Sequence, residues 1–343
     1  MVSNFGLFVV RRAINAAVTL VLLIALVFVL LHVLVPSPVA MARIITGNPR
    51  ATPAILASII KANDLDAPLY IQFYNYLIGI LHGNFGTDTL YHVPELQEMQ
   101  AYLPVTLELV VVGQIIGVLI GLYTGAIAAA NRNRAPDYGM KALYLTTWSA
   151  PIFLVGFIMQ LVVAYWLNLL PATGVVDPTL IPPPAVTGAP IIDALLAQNW
   201  VYFWSAVQHL ILPAFAIAVI GFGLVTRLGR ASMIDALDRD YVKLAYMKGL
   251  SKGKVVWGTA FRNAMIPIIT LVALLFAFSV GGAVIIEDVF AYHGMGFFTV
   301  NAIYNDDYTA VLAFTVITGI AVIVANFVAD ILYAVADPRV RLT

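Results

Sequence analysis

The chain has 343 residues, 62% of them hydrophobic and 10% charged, with a mean hydropathy of +0.93, whereas an ordinary soluble domain carries about 25% charged residues. This composition excludes a soluble enzyme and leaves a membrane protein. Lysine plus arginine and aspartate plus glutamate number 18 each, so no net basic charge is present to hold nucleic acid, and the absence of cysteine removes disulfides, thiolate metal sites and thiol nucleophiles.

In chain order, six segments are long and apolar enough to cross a bilayer, which takes about 20 residues at about 1.5 Å each. They lie near residues 9–35, 104–130, 139–167, 205–226, 264–286 and 308–335. Backbone polar groups in lipid must be satisfied within the segment, so an all-α polytopic membrane protein with six transmembrane helices is expected. The first segment follows Arg11-Arg12 and stays apolar from Ala13 to Val35. That is longer than the core of about 7–15 residues in a signal peptide, so residues 1–35 read as a retained transmembrane helix. Residues 36–103 form an extracytoplasmic segment in which "APLYIQFYNYLIGIL" spaces its aromatics helically, which predicts short helices lying on the membrane face. Residues 104–343 make a five-helix core.

The second span carries Gly113, Gly117, Gly121 and Gly125 on one helix face, a spacing that lets another backbone approach closely. Polar residues within spans are costly and therefore candidates for lining a solute pathway. Here they are Glu108, Gln114 and Gln160, with interfacial water at Glu108 and helix–helix hydrogen bonding at the glutamines as the plainer alternatives. Between the third and fourth spans, "IPPPAVTGAP" predicts an ordered loop without regular structure. In the fifth span, Gly281 and Gly282 either bend the helix beside a pathway or admit a close neighbour.

With the N-terminus in the cytoplasm, 15 of the 18 Lys and Arg fall inside and only Arg43, Arg50 and Lys61 outside, so the positive-inside rule predicts two cytoplasmic termini. Eight of the inner cations lie in residues 227–263. Met233, Ile234, Leu237, Tyr241, Leu244 and Ala245 recur at helical spacing, which predicts one amphipathic helix from Ala231 to Met247, ended by Gly249. A second helix is expected after Ser251 as its cap. Such a loop suits a lipid-surface anchor or a docking element for a soluble partner.

The stretch "DYVKLAYMKGLSKGKVVWGTAFRNAMIPIIT" closely resembles the EAA loop of permease subunits of binding-protein-dependent ABC importers. Lys243 in place of the EAA glutamate, and the distance from Gly249 to Ile266-Pro267, resemble the dipeptide, oligopeptide and nickel branch. "LPVTLELVVVGQIIGVLIGLYTGAIAAANRNRAPDY", "SAPIFLVGFIMQ" and "EDVFAYHGMGFFTVNAIYNDDYTAV" are similar to the same branch. The resemblance implies the type I importer permease fold, in the cell membrane, working by alternating access. It also implies a second permease subunit, in this branch usually a different chain with a homodimer as the alternative, two cytoplasmic ATPase subunits and an extracytoplasmic substrate-binding protein. Residues Asp240 to Ser251 would then transmit ATPase closure, with Tyr241, Val242, Ala245, Gly249 and Leu250 in the ATPase groove and Lys243 and Lys248 at its rim. Peptides are the expected cargo, with oligosaccharides or nickel as alternatives, and a non-transporting scaffold is the rival from another class.

A pump in one chain needs G-x-x-x-x-G-K-[ST] to cradle phosphates. Gly249 to Val255 is one residue short between its glycines and ends without the hydroxyl, so it reads as a turn. No cofactor is expected in this chain, and ATP and magnesium are assigned to partner subunits. The five histidines lack metal spacing, so no metal or catalytic site is expected.

Overall fold

The computed structural model describes residues 2–46, 48, 50–88, 93–305 and 307–336. Among them no strand forms, and Thr87 and Pro94 make an isolated antiparallel bridge. The helices in chain order are α1 (Val2–Leu34), α2 (Pro38–Thr46), α3 (Pro53–Ala62), α4 (Leu69–Leu81), α5 (Glu95–Ala130), α6 (Ala135–Ser149) and α7 (Ile152–Met159), the last continuing as a π-helix, π1 (Gln160–Trp166). They are followed by α8 (Pro190–Leu196), α9 (Trp200–Leu237), α10 (Asp240–Met247), α11 (Lys252–Lys254), a second π-helix, π2 (Val255–Ala260), α12 (Phe261–Ala264), α13 (Ile266–Val289), α14 (Met295–Tyr304) and α15 (Tyr308–Ala336).

Among the described residues, four helical stretches are long and apolar enough to cross a membrane: Gly6–Leu34, Glu95–Ala130, Trp200–Val219 and Thr309–Phe327. The third predicted span is not straight, because α6 and the α7–π1 rod meet at 104°. Pro151 accounts for the break. Its ring disfavours helical geometry at the residue before it, and Ala150 is extended at φ −77° and ψ 130°. The two ends of the bent pair still lie at opposite faces, since Asp137 in α6 bonds Arg230 while Gln160 bonds the Val289 carbonyl. The 24-residue α13 occupies the fifth predicted position.

The frame is the parallel pair α5 and α9. The glycine face predicted in α5 is the seam of this pair: Gly113, Gly117, Gly121 and Gly125 lie directly on α9 at Ala214 and Ile217, Ala218, Val225, and Thr226 and Arg230. Thr124 and Thr226 add a hydroxyl contact at 2.9 Å beside it. On this frame α13 buries Val280, Ala283 and Ile286 together with Leu109, Val110 and Ile217, and α15 and α1 pack outward from α13 in turn.

The segment 36–103 contains the short helices expected of it. In α4 the apolar residue Ile80 packs with Ile24 and Val27 of α1, Phe73 sits edge-on to Phe28, and His32 meets Gln72 at 3.0 Å. Two short helices, α8 and α14, were not legible as separate elements, since each follows a loop and is only 7 or 10 residues long.

The largest departure concerns residues 231–247. Instead of one amphipathic helix, α9 continues unbroken to Leu237, the chain turns at Asp238 and Arg239, and α10 starts afresh. Arg239 is extended at φ −79° and ψ 153°, which resets the helical phase, so the apolar residues of the two halves do not share a face. Ser251 holds the extended backbone of a cap, but its side chain makes no capping hydrogen bond.

Candidate functional site

The basic residues that follow α9 surround α10, and this end of the molecule is called the basic face. Val242 and Ala245, 1% and 6% exposed, turn inward from α10. They pack with Met233 and Ala236 of α9, Ala126 and Ala129 of α5, and Val255, Val256 and Ala260 of π2. This corrects their expected placement in a partner's groove, because side chains so enclosed by their own chain present no surface. The opposite side of α10 is open: Leu244 is 51% and Met247 80% exposed, flanked by exposed Tyr241 and Tyr246. This apolar ridge is not covered by any of the described residues, which is the character of an interaction surface.

The end of α10 is built for a fixed exit. Gly249 takes φ +78°, the Leu250 N–H bonds the Ala245 carbonyl and the Gly249 N–H bonds the Tyr246 carbonyl, so the turn is a Schellman motif with glycine at its left-handed position. No described residue lies within 4 Å of where a Gly249 Cβ would stand. Lys243 and Lys248 are exposed. Lys243 bonds Asp240 at 2.8 Å, and the ammonium holds the Asp240 carboxyl below its ordinary value while the carboxylate raises Lys243. Both partners are solvated, so the pair adds little stability.

The base of this surface is tied to the membrane bundle by a charge cluster that the sequence did not single out. Arg230 donates from Nε and Nη2 to Asp137 at 2.6 and 2.8 Å, Lys141 lies 3.2 Å away from the same carboxylate, and the Asn133 N–H donates at 2.9 Å. Asp137 is fully buried, so this pairing is what makes its charge tolerable there. Beside it a shallow cleft of about 240 Å³ opens between Ala126, Ala130, Lys252, Val256 and Trp257.

The five pathway candidates are not brought together. Glu108 accepts the Ile191 N–H at 3.2 Å in the first turn of α8, and so fixes that helix to α5. Gln114 is buried and donates to Ser279 of α13. Gln160 donates to the carbonyls of Ala172 and Val289, both at 2.9 Å. These three join elements to one another. Gly281 and Gly282 do not bend α13, which is helical throughout 266–289, and no described residue lies within 4 Å of a Cβ built on Gly281. Instead, Gly281 belongs to an open stripe with Leu274, Phe278 and Ile285, ending at exposed Asp288, at alternating spacings of three and four along one face.

Away from the basic face, Glu287 is fully buried. It accepts Thr106 Oγ1 at 2.6 Å and the N–H groups of Gly296 and Phe297 at 2.7 and 3.1 Å, while Thr106 accepts the Met295 N–H at 2.8 Å. This network locks the start of α14 onto the end of α13. A charged residue one position beyond a predicted span was the only sequence signal for it.

Residues 117–342 match the family of binding-protein-dependent transport system inner membrane components, and residues 6–95 match its N-terminal companion. The chain is 38% identical to the probable D,D-dipeptide transport system permease protein DdpB of Escherichia coli (strain K12), over 91% of each chain. It is 34% identical to the di/tripeptide transport system permease protein DppB of Pseudomonas aeruginosa (strain UCBPP-PA14), over 92% of this chain and 93% of the relative. With the glutathione transport system permease protein GsiC of Salmonella choleraesuis (strain SC-B67) it shares 32% identity over 97% and 98%. The all-α bundle, the matches along nearly its whole length and these relatives make the chain a multi-pass membrane permease of the peptide branch of the binding-protein-dependent ABC importer family.

Proposed function

We propose that this chain forms half of the translocation pathway of an ATP-driven importer of di- and oligopeptides, and that α10 couples it to a separate ATPase. The observation that carries the coupling role is the two-sidedness of α10. Val242 and Ala245 key it into the bundle, while Leu244 and Met247 stand outward with Tyr241 and Tyr246. A helix fixed behind and open in front passes on a displacement applied to its front as movement of α9 and π2. The basic face is then cytoplasmic, a reading that the distribution of Lys and Arg supports, and ATP and magnesium are bound by two ATPase subunits.

The α13 stripe from Leu274 to Ile285 supports a second permease, probed best as a different chain, completing the pathway on that side. A substrate-binding protein delivers solute at the face carrying α4, α8 and α14. Peptide as cargo rests on the relatives, which are named for dipeptide, di/tripeptide and glutathione transport. The test is ATPase activity of the complex co-purified with this chain and reconstituted in lipid, titrated with its binding protein plus separate peptide and oligosaccharide pools. Stimulation by the peptide pool is expected. Stimulation by oligosaccharides alone overturns the cargo, and failure of any ATPase subunit to co-purify with the folded chain overturns the importer reading in favour of a scaffold.

A further inference from the structure

Neither the outward ridge of α10 nor the α13 stripe lines the cleft of about 240 Å³ between the end of α5 and π2. Its two walls run antiparallel. On one, α5 reaches the basic face at its cap Asn131, with Ile127 one turn and Tyr123 two turns deeper in the span. A spacing of four places these three residues on one side of the helix. The other wall climbs from Lys252 through Val256 to Trp257. At the deep end the exposed rings of Tyr123 and Trp257 stack, their centroids 5.7 Å apart.

Both walls therefore carry the same polarity, polar at the basic face and aromatic further into the span. Ala126 and Ala130 keep the floor low, and no described residue lies within 4 Å of a Cβ built on Gly253, so the end at Lys252 is open. Lys252 is the one charged residue that lines the cleft. It is exposed, and none of the ion pairs among the described residues includes it. Arg132, next to Asn131, is instead turned to Asp238 at 3.7 Å.

A free cation at the aqueous end and stacked aromatic rings at the apolar end match an amphiphile with an anionic head. Tryptophan and tyrosine settle at the headgroup level of a bilayer, and basic pockets between helices on the cytoplasmic side hold anionic heads. A soluble anion would engage Lys252 alone and leave the aromatic end unused. We propose that this cleft binds one anionic glycerophospholipid, with its phosphodiester at Lys252 and its acyl chains leaving past Tyr123 and Trp257. That the lipid belongs to the inner leaflet rests on the cytoplasmic placement of the basic face proposed above, whereas the binding itself does not.

The site bears on α10. Val256, which lines the cleft, is also buried in the apolar cluster that contains Val242 and Ala245 of α10 and Ala126 and Ala129 of α5. A head group held at Lys252 braces π2 against α5 directly behind the coupling helix.

The experiment reconstitutes the whole complex in nanodiscs holding equal amounts of phosphatidylglycerol and phosphatidylcholine, with bromine on the acyl chains of one lipid or the other, and reads tryptophan fluorescence. The chain has five tryptophans, so the Trp257 signal is taken as the difference between the natural chain and Trp257→Phe, which keeps an aromatic ring against Tyr123. Trp257 is expected to be quenched more strongly by the brominated phosphatidylglycerol. Lys252→Gln is expected to lower this preference about fivefold, the effect of one lysine at an anionic surface. Arg134→Gln, exposed on the same face but outside the cleft, is expected to leave it unchanged. Should Trp257→Phe fail to assemble, native mass spectrometry counts the phosphatidylglycerol retained by the natural complex and by Lys252→Gln, with fewer copies expected on the variant. Equal quenching by the two lipids, or the natural preference in Lys252→Gln, overturns the proposal. So does an equal loss in Arg134→Gln, which would mean diffuse surface charge. A Trp257 that neither lipid quenches also overturns it, since a protein subunit would then cover the cleft. Free glycerol phosphate that abolishes the preference overturns it in favour of a soluble phosphate ester. None of these readings needs ATP or uptake, so failure of the importer reading leaves them intact.

Discussion

Replacing Gly117 by alanine tests the seam on which the whole bundle is built. A Cβ there stands 2.6 Å from the Ala218 carbonyl oxygen, 3.1 Å from its Cα and 3.2 Å from its carbonyl carbon. All three atoms are backbone, so no rotamer change relieves the contact, and α5 and α9 must separate by roughly 1 Å to regain ordinary spacing of about 3.5–4.0 Å. Overpacking of this size costs about 1–3 kcal/mol, against which alanine's helix preference over glycine contributes up to about 1 kcal/mol. Gly139→Ala in α6 is the matched control, because nothing lies within 4 Å of its Cβ position and only the propensity gain remains. Thermal unfolding of the purified protein in detergent should place Gly117→Ala below Gly139→Ala by about 1–3 kcal/mol. Equal stability of the two variants would refute the claim that the four glycines set the helix separation.

Other consequences are as specific. Asp137→Asn removes the ion-pair partner that a partly buried Arg230 has among the described residues and should destabilise the chain by about 3–5 kcal/mol, read by unfolding, whereas Lys243→Ala, which breaks only a solvated pair, should leave the unfolding transition nearly unchanged. In the first turn of α8, burial pushes the Asp193 carboxyl up, but hydrogen bonds from the preceding loop, donated by the Thr187 N–H and hydroxyl and the Gly188 N–H, outweigh it and leave it below its ordinary value. Its stabilising effect is therefore present above about pH 3.9 and lost as pH falls further, and Asp193→Ala should raise hydrogen exchange in residues 186–196 and remove that acid dependence. Gly249→Asn should be tolerated, since asparagine accepts left-handed backbone, while Gly249→Trp should assemble but lose ATP-driven uptake, its side chain having open space on this chain and none against a docked ATPase.

Much of this architecture was legible because lipid leaves the backbone few choices. Long apolar runs had to be helices, and the four-residue spacing of glycines, read as a packing face rather than a gating hinge, is where α9 meets α5. What was missed depended on phase and on partners distant in sequence. The periodicity of Met233, Leu237, Tyr241 and Leu244 looked continuous, yet the turn at Asp238 and the extended backbone of Arg239 rotate everything after them, so Val242 and Ala245 face inward and Leu244 outward. The 104° bend at Pro151 lies within an apolar run that hydropathy reads as one span. Asp137, Thr106 and Glu287 gain their roles from residues 93 to 181 positions away, and no local pattern announces such pairings. Gln114 and Gln160, polar within predicted spans, hydrogen-bond neighbouring elements, the plainer of their two readings, because the same rule that makes buried polar groups costly makes them seek partners.

The most direct test of the coupling role uses the double variant Leu244→Asp and Met247→Asp in the reconstituted complex, with peptide uptake and ATP hydrolysis measured on the same vesicles. Both side chains point away from this chain's own core, so the permease should fold and insert normally. Loss of peptide uptake, together with hydrolysis that no longer responds to the loaded binding protein, is the predicted result. Uptake and stimulated hydrolysis at the level of the natural chain would contradict the coupling role of α10.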